Sequence, residues 1–213
     1  MKVRLSVLFL AALPLVAIEG QQRPPDIHPA TLSRLPPPSP ADLDEEGRRL
    51  LAMPDAPSRA RPGPTQFSMY SPNDRDLGIP DGEDSPVGAR FFQLAVLIVA
   101  RELDQEYEWS SHAVAGLRQG LEQSVVDVVK YDRDVAGLAE KDATLITFGR
   151  TLLRENGVSS ELWQKMVDHF GRQHTVYLLQ IMGAYLRVGF MLNAVDQQVP
   201  PERKEILPPL SGR

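Results

Sequence analysis

A glutamate and a histidine one helical turn apart are the residues of this chain best suited to chemistry. They lie in the stretch Gln105-Glu106-Tyr107-Glu108-Trp109-Ser110-Ser111-His112. Read as a helix, this stretch places Glu108 and His112 on one face, four residues apart. A carboxylate in that position can orient an imidazole and hold its proton, so the pair predicts general acid or base catalysis. A structural histidine, bonded to Glu108 or to a backbone carbonyl, is the alternative interpretation.

Three further side chains are candidates for binding a substrate beside this pair. Gln93 belongs to a helix predicted to be enclosed, where its amide must bond either to neighbouring backbone or to Glu108 and His112. Arg187 could bind a substrate carboxylate through two guanidinium nitrogens, although such an arginine more often forms an interhelical or intersubunit salt bridge. Tyr107 could donate a hydrogen bond to a bound oxyanion or serve as a core aromatic residue.

Composition excludes several other kinds of chemistry. The 213 residues include no cysteine, which excludes a thiolate nucleophile and disulfide bonds. No metal site is expected, because Glu108 and His112 are too few ligands and His169 and His174 lie far along the chain. We expect no cofactor, only a small-molecule substrate or ligand. The formal net charge of −5 at pH 7 gives no electrostatic basis for binding nucleic acid.

The distribution of proline divides the chain. None of the 19 prolines falls between Pro86 and Pro200, so this interval is predicted to be helical. Proline-rich sequence on the N-terminal side favours extended or turning backbone that wraps over the helices. The expected divisions are a signal peptide over residues 1–20, a Pro-rich segment over 21–87, a helical domain over 88–199 and a tail over 200–213.

The first twenty residues have the pattern of an export signal. Lys2 and Arg4 form a basic start, and a run of about a dozen mainly apolar residues follows, ending at Ala17. This run is shorter than the ~20 apolar residues of a membrane span, and Pro14 interrupts it. We expect an exported protein, periplasmic or secreted, without a membrane partner after cleavage of the signal.

Apolar periodicity predicts an all-α fold without strands. One short helix is expected in the N-terminal segment, over residues 41–53. In the domain, Asn156-Gly157 is a strong stop and Ser159 is a good helix cap. The six domain helices are expected over residues 88–103, 106–120, 122–132, 139–155, 159–170 and 173–196.

Two of these helices are apolar on nearly every side. The helix over 88–103 is interrupted only by Gln93 in its central part, so it must be surrounded by protein. The last helix is long enough to span a membrane, but Gln180, Arg187 and Asn193 oppose this, the arginine at a cost of roughly 3 kcal/mol. Two such helices in a small domain indicate that another subunit covers part of the surface, so we expect a homo-oligomer.

Two consecutive stretches carry a family resemblance. The first is Phe92-Gln93-Leu94-Ala95-Val96-Leu97-Ile98-Val99-Ala100-Arg101, and the second is Tyr107-Glu108-Trp109-Ser110-Ser111-His112. Together they resemble the carboxymuconolactone decarboxylase family, whose fold the alkylhydroperoxidase D-like proteins share. The resemblance extends over roughly residues 32–200. It implies an antiparallel helical bundle of about six core helices, with a pocket near a junction between subunits.

The resemblance also implies which chemistry to expect. Redox members carry Cys-x-x-Cys-x-x-x-His, and Gln105 and Glu108 stand where those cysteines would be; a proton-relaying glutamate would fall at Gln93. Decarboxylating members transfer protons at carbon on a small lactone acid without a cofactor, which implies that His112 moves the proton and Glu108 orients the ring. Two alternatives are a non-catalytic ligand-binding or assembly protein on this fold, and a peroxiredoxin-type activity, which the missing thiolate disfavours.

Overall fold

The structure is a computed structural model that describes residues 24–54, 62–64, 67–70, 84–204 and 206–209. The expected signal peptide lies outside these residues. Within them the chain forms helices and no strand, with one isolated antiparallel bridge between His28 and Ser33, which confirms the all-α class. After a 3-10 turn at Pro40–Asp42, the helices are α1 (Glu45–Leu51), α2 (Phe67–Tyr70), α3 (Ala89–Glu102), α4 (Glu106–Arg118), α5 (Gln123–Lys130), α6 (Glu140–Glu155) and α7 (Ser160–Ala194).

The short N-terminal helix begins later than the sequence pattern predicted. Asp44 has extended backbone, and its carboxylate accepts a hydrogen bond from the N–H of Gly47 at 2.6 Å. This side chain therefore caps a helix that starts at Glu45. The residues before it form only the 3-10 turn.

α7 consists of two arms joined at Gly171. This residue has a φ of 74° and a ψ of 159°, a conformation that glycine adopts easily and other residues rarely do. The break lies between the two helices that were predicted over 159–170 and 173–196. The hydroxyl of Thr175 donates to the carbonyl of Gly171 at 2.8 Å, which satisfies an acceptor beside the break.

α3 is the centre of the bundle. α4, α5, α6 and α7 all pack against it. Every residue from Phe92 to Arg101 is buried, as the prediction of an enclosed helix requires. Burial of each large apolar side chain stabilises the fold by roughly 1.5–3 kcal/mol. α3 therefore holds its one buried amide side chain, Gln93, in a fixed place beside α4.

α6 packs closely against α3 at Gly149. A Cβ atom there would lie 2.7 Å from Cγ2 of Ile98 and 3.1 Å from Cε of Met182. We expect Gly149→Ala to lower the free energy of unfolding by about 1–3 kcal/mol, because the core must open to admit the methyl group. Urea denaturation measures this change. Gly157→Ala, where a Cβ meets nothing within 4 Å, is the matched control, and equal losses in both variants would contradict the prediction.

A buried arginine anchors the end of the chain to the bundle. Arg101 donates from Nη1 to the carbonyls of Lys130 at 3.1 Å and Pro208 at 2.8 Å, and its Nη2 contacts Asp104. Leu207 is buried in the main core. The described part of the predicted tail is therefore packed against the domain.

The N-terminal segment contacts the bundle at the end of α7. The buried amide of Gln197 accepts from the N–H of Gly63 at 3.1 Å and donates to the carbonyls of Thr31 at 3.0 Å and Leu32 at 3.1 Å. One side chain thus holds two separate parts of this segment. The contact brings Pro64 and Phe67 next to α4.

Within the subunit, the second arm of α7 is enclosed on one side only. Its inner face is buried in the core through Leu178, Ile181 and Met182, whereas Val176 and Phe190 are exposed. Among the described residues, α7 is the one helix whose length and composition would allow it to cross a membrane. A core helix of a soluble protein meets the same criteria.

Candidate functional site

A pocket of about 340 Å³ lies between α4, the second arm of α7 and the two terminal segments. Its wall is mainly apolar and carries a few convergent polar groups, the usual composition of a small-molecule site. The lining residues are Tyr107, Glu108, Ser111 and His112 from α4, Tyr185, Val188 and Met191 from α7, and Pro64, Phe67 and Arg203 from the flanking segments.

Gln105 determines where α4 begins. Its Oε1 accepts hydrogen bonds from the N–H groups of Tyr107 at 2.7 Å and Glu108 at 3.4 Å, so the side chain caps the helix. Its Nε2 donates to Oδ1 of Asn193 at 2.7 Å, which ties this cap to the end of α7. Gln105 therefore fixes the start of the helix that carries Glu108 and His112.

Glu108, His112 and Gln93 form a continuous chain of polar contacts. Nε2 of His112 lies 3.1 Å from Oε2 of Glu108, and Nδ1 lies 2.7 Å from Oε1 of Gln93. The side chains of His112 and Glu108 are only 17% and 6% exposed, and both border the pocket. Gln93 reaches the ring from α3 and is not among the described residues that line the pocket. The structure thus brings together three of the five predicted site residues in one contact chain.

These contacts allow the imidazole of His112 to exist in two protonation states. If both neighbours act as acceptors, both ring nitrogens carry protons and the ring is an imidazolium beside the Glu108 carboxylate. A neutral ring is accommodated if the Gln93 amide turns so that its NH₂ group donates to Nδ1. The arrangement can therefore take up and release one proton without leaving a ring nitrogen unpaired.

Aromatic rings hold the imidazole in place. The ring of Tyr185 meets that of His112 edge to face, with centroids 5.1 Å apart, and also packs against Phe92 at 5.9 Å. Such edge-to-face pairs are favourable because the positive edge of one ring lies on the negative face of the other. They also restrict the access of water to one side of the histidine.

Arg203 supplies a guanidinium group that the sequence analysis did not assign to the site. Its Cζ lies 4.3 Å from the centre of the Tyr107 ring, within cation–π range. Nη1 donates to the carbonyl of Tyr107 at 3.2 Å and to Oγ of Ser110 at 3.3 Å, and Nη2 donates to the hydroxyl of Tyr107 at 3.3 Å. Nothing in the local sequence marks Arg203, because its partners Tyr107 and Ser110 lie 96 and 93 residues earlier in the chain.

Tyr107 lines the pocket with its hydroxyl already engaged. The hydroxyl donates to the carbonyl of Pro62 and accepts from Arg203. Burial raises the pKa of Tyr107 above its usual value, so the phenol stays protonated at neutral pH. The predicted donation to a bound oxyanion would require this hydroxyl to leave Pro62.

Gly63 lies against the hydroxyl of Tyr107. It has a φ of +120°, and an added Cβ would lie 2.3 Å from Oη of Tyr107. We expect Gly63→Ala to push Tyr107 away from Pro62 and Arg203 and to lower the free energy of unfolding by roughly 2–4 kcal/mol. Gly88→Ala also places a side chain at positive φ but meets nothing within 4 Å, so it isolates the backbone strain. Thermal unfolding compares them, and a milder loss for Gly63→Ala would refute the steric explanation.

The other sequence candidates lie elsewhere. Arg187 is half-buried on α7 and is not among the described residues that line this pocket. His169 lies 4.0 Å from Glu140, and His174 borders a different groove. In the described parts of the chain, no group of three or more His, Asp or Glu side chains could hold a metal ion.

Comparisons with known proteins add no assignment to this geometry. No protein-family model and no curated protein matches the chain. The likeness to carboxymuconolactone decarboxylases therefore depends on the Tyr-Glu-Trp-x-x-His motif and its neighbouring helix, and it stays a prediction.

Proposed function

We propose that this protein catalyses cofactor-independent proton transfer, of the lyase type, on a small organic acid or lactone. The observation that carries the proposal is the chain of contacts from Gln93 through His112 to Glu108 at the wall of a mainly apolar pocket. Proton transfer at carbon needs a base within hydrogen-bond reach of the substrate and a group that stabilises the enolate-like anion. The Glu108–His112 pair and Arg203 meet these two needs.

Glu108 and His112 act as one acid/base unit in this mechanism. Nδ1 of the ring contacts Gln93 at 2.7 Å and Nε2 contacts Glu108 at 3.1 Å, so Gln93 holds one side of the ring and Glu108 shares the proton on the other. The pair takes the proton from the carbon next to the substrate's carbonyl group, the electrons of that C–H bond expel a leaving group from the neighbouring carbon, and His112 gives the proton to the departing group. Glu108 keeps the ring oriented between the two steps, and burial keeps competing water away.

Arg203 binds the acidic group of the substrate. Its side-chain hydrogen bonds in the described structure go to neutral oxygens, the carbonyl and hydroxyl of Tyr107 and the hydroxyl of Ser110. A carboxylate can replace these neutral acceptors because a charge-assisted, bidentate pair is stronger. Arg203 thereby takes the role for which the sequence offers Arg187 as a candidate.

The finer description of the fold belongs to the same proposal. We assign the bundle to the alkylhydroperoxidase D-like kind, with a Pro-rich segment that wraps over it. The Tyr-Glu-Trp-x-x-His motif at the pocket wall and the contacts of Gln197 with Thr31 and Gly63 support this assignment. Export to the periplasm or medium is proposed from the basic and apolar pattern of residues 1–20.

Deuterium exchange tests the proposed reaction. The full chain is incubated in D₂O with a panel of lactone carboxylic acids, and NMR follows the replacement of hydrogen at carbons next to the carbonyl groups, together with any product. The control is Glu108→Gln, which keeps the size of the side chain but cannot be ionised. Faster exchange with the unmodified chain than with this variant supports the proposal. Exchange at the rate of buffer for every acid of the panel rejects it.

One observation favours a second candidate, a non-catalytic ligand-binding protein on the same fold. Both ring nitrogens of His112 already have partners, as in a histidine that serves structure alone. This candidate predicts saturable binding of a lactone acid in a calorimeter without any exchange in D₂O. Binding together with exchange would dismiss it.

A further inference from the structure

The second arm of α7 presents a stripe of exposed residues on the side away from the core. Val176 is 48% exposed and Phe190 is 73% exposed, and Gly183, between them, is also exposed. These residues are seven positions apart, so they lie close to one line along the helix. We propose that this stripe is the interface of a symmetric dimer, in which the second arm of α7 packs antiparallel against its copy.

Gly183 marks the point where the two helices would cross. A Cβ added there meets nothing within 4 Å, whereas Cβ atoms at Gly149 and Gly189, two other helical glycines, would come within 2.7 Å and 2.6 Å of side chains in the chain. Packing within the subunit therefore explains Gly149 and Gly189 but not Gly183. A glycine in a helix interior lowers helix stability, and it permits the close approach of a second backbone.

The stripe is complementary to itself under a two-fold rotation. A groove of about 410 Å³ borders Val176 and is also lined by Pro86, Tyr177 and Gln180. Phe190 and Val176 are equally far from Gly183, about 10 Å at 1.5 Å per residue. An antiparallel pair that crosses at Gly183 therefore places Phe190 of each copy beside the groove of the other. One rotation makes both contacts, as an isologous interface requires.

A second copy fits this stripe better than a lipid bilayer does. The opposite side of the same arm is buried in the core through Leu178, Ile181 and Leu192, so lipid cannot surround the helix. The stripe also includes Gln180 and Arg187, which are costly in hydrocarbon. In the antiparallel pair, Gln180 of one copy lies near Arg187 of the other, where polar side chains can meet.

The absence of cysteine from the chain makes a direct crosslinking test possible. The full chain is prepared as Val176→Cys and Phe190→Cys, and each is treated with a short bifunctional maleimide, alone and in a mixture of the two. We expect Val176→Cys to crosslink mainly in a mixture with Phe190→Cys, and neither variant to crosslink efficiently with itself. Leu117→Cys, at an exposed position on α4, is the control and should stay uncrosslinked.

Sedimentation velocity gives an independent measurement. We expect the unmodified chain to be a dimer, Phe190→Glu to be a monomer with an unchanged circular dichroism spectrum, and Leu117→Glu to remain a dimer. Self-crosslinking of Val176→Cys and Phe190→Cys alone, as in a parallel pair, would overturn the antiparallel arrangement. A monomeric unmodified chain would overturn the dimer. So would flotation of the unmodified chain with phosphatidylcholine vesicles, if the Phe190→Glu variant no longer floated with them.

Discussion

Replacement of His112 by alanine is expected to reduce deuterium exchange into a lactone acid by roughly 10²–10⁴-fold, the usual contribution of a general acid or base. The ring is the central member of the contact chain, and its loss separates Glu108 from Gln93. The effect should fall on kcat rather than on KM, because the ring takes part in the proton transfer and Arg203 still binds the substrate. Initial rates over a range of substrate concentrations separate the two constants.

A matched histidine outside the pocket controls this experiment. His169→Ala removes a partly exposed imidazole that lies 4.0 Å from Glu140, and it should leave exchange unchanged. The exchange rate of Gln93→Leu should lie between those of His112→Ala and His169→Ala, since this change removes one hydrogen-bond partner of the ring without removing the ring. Equal exchange rates for the unmodified chain and His112→Ala would show that His112 takes no part in the reaction.

Replacement of Arg203 by leucine is expected to weaken the binding of a carboxylate ligand by roughly 10–100-fold, the value of a hydrogen-bonded charge in a partly enclosed site. Arg203→Lys should lose less affinity than Arg203→Leu, because lysine keeps the charge but cannot bind a carboxylate through two parallel N–H groups. Isothermal titration calorimetry with one lactone acid measures all three dissociation constants.

Two comparisons separate this charge effect from a structural one, since Arg203 also packs on Tyr107. The methyl ester of the same acid lacks the charge and should bind the unmodified chain and Arg203→Leu with similar affinity. Arg118→Leu removes an equal charge from the exposed end of α4 and should bind the acid normally. If Arg203→Leu weakened the binding of the acid and of the ester by equal factors, the proposal that Arg203 binds the carboxylate would be wrong.

The helices of the domain followed from local sequence to a large extent. Asn156 was predicted as a stop, and it takes the left-handed conformation, with a φ of 56°, that ends α6. The break in α7 at Gly171 falls between two predicted helices for a related reason, because glycine tolerates a positive φ. The short helix began later than predicted because Asp44, rather than a residue nearer Pro40, caps it.

The burial of α7 was harder to predict. Its apolar composition resembles that of α3, yet α3 is enclosed by the rest of the bundle and the second arm of α7 exposes Phe190. Composition indicates that a face must be covered, but it does not distinguish a cover made by the same chain from one made by another subunit. The position of each helix in the bundle makes that distinction.

The amino-acid sequence alone excluded thiol chemistry and placed Glu108 and His112 on one face, because the period of the α-helix brings residues four apart together whatever surrounds them. Only the tertiary structure put Gln93 behind the imidazole and Arg203 in the pocket. Both positions depend on contacts between separate segments of the chain, the packing of α3 against α4 for Gln93 and the bonds to Tyr107 and Ser110 for Arg203. Contacts of this kind leave no periodic pattern in the sequence, because they are made when separate apolar surfaces are buried together.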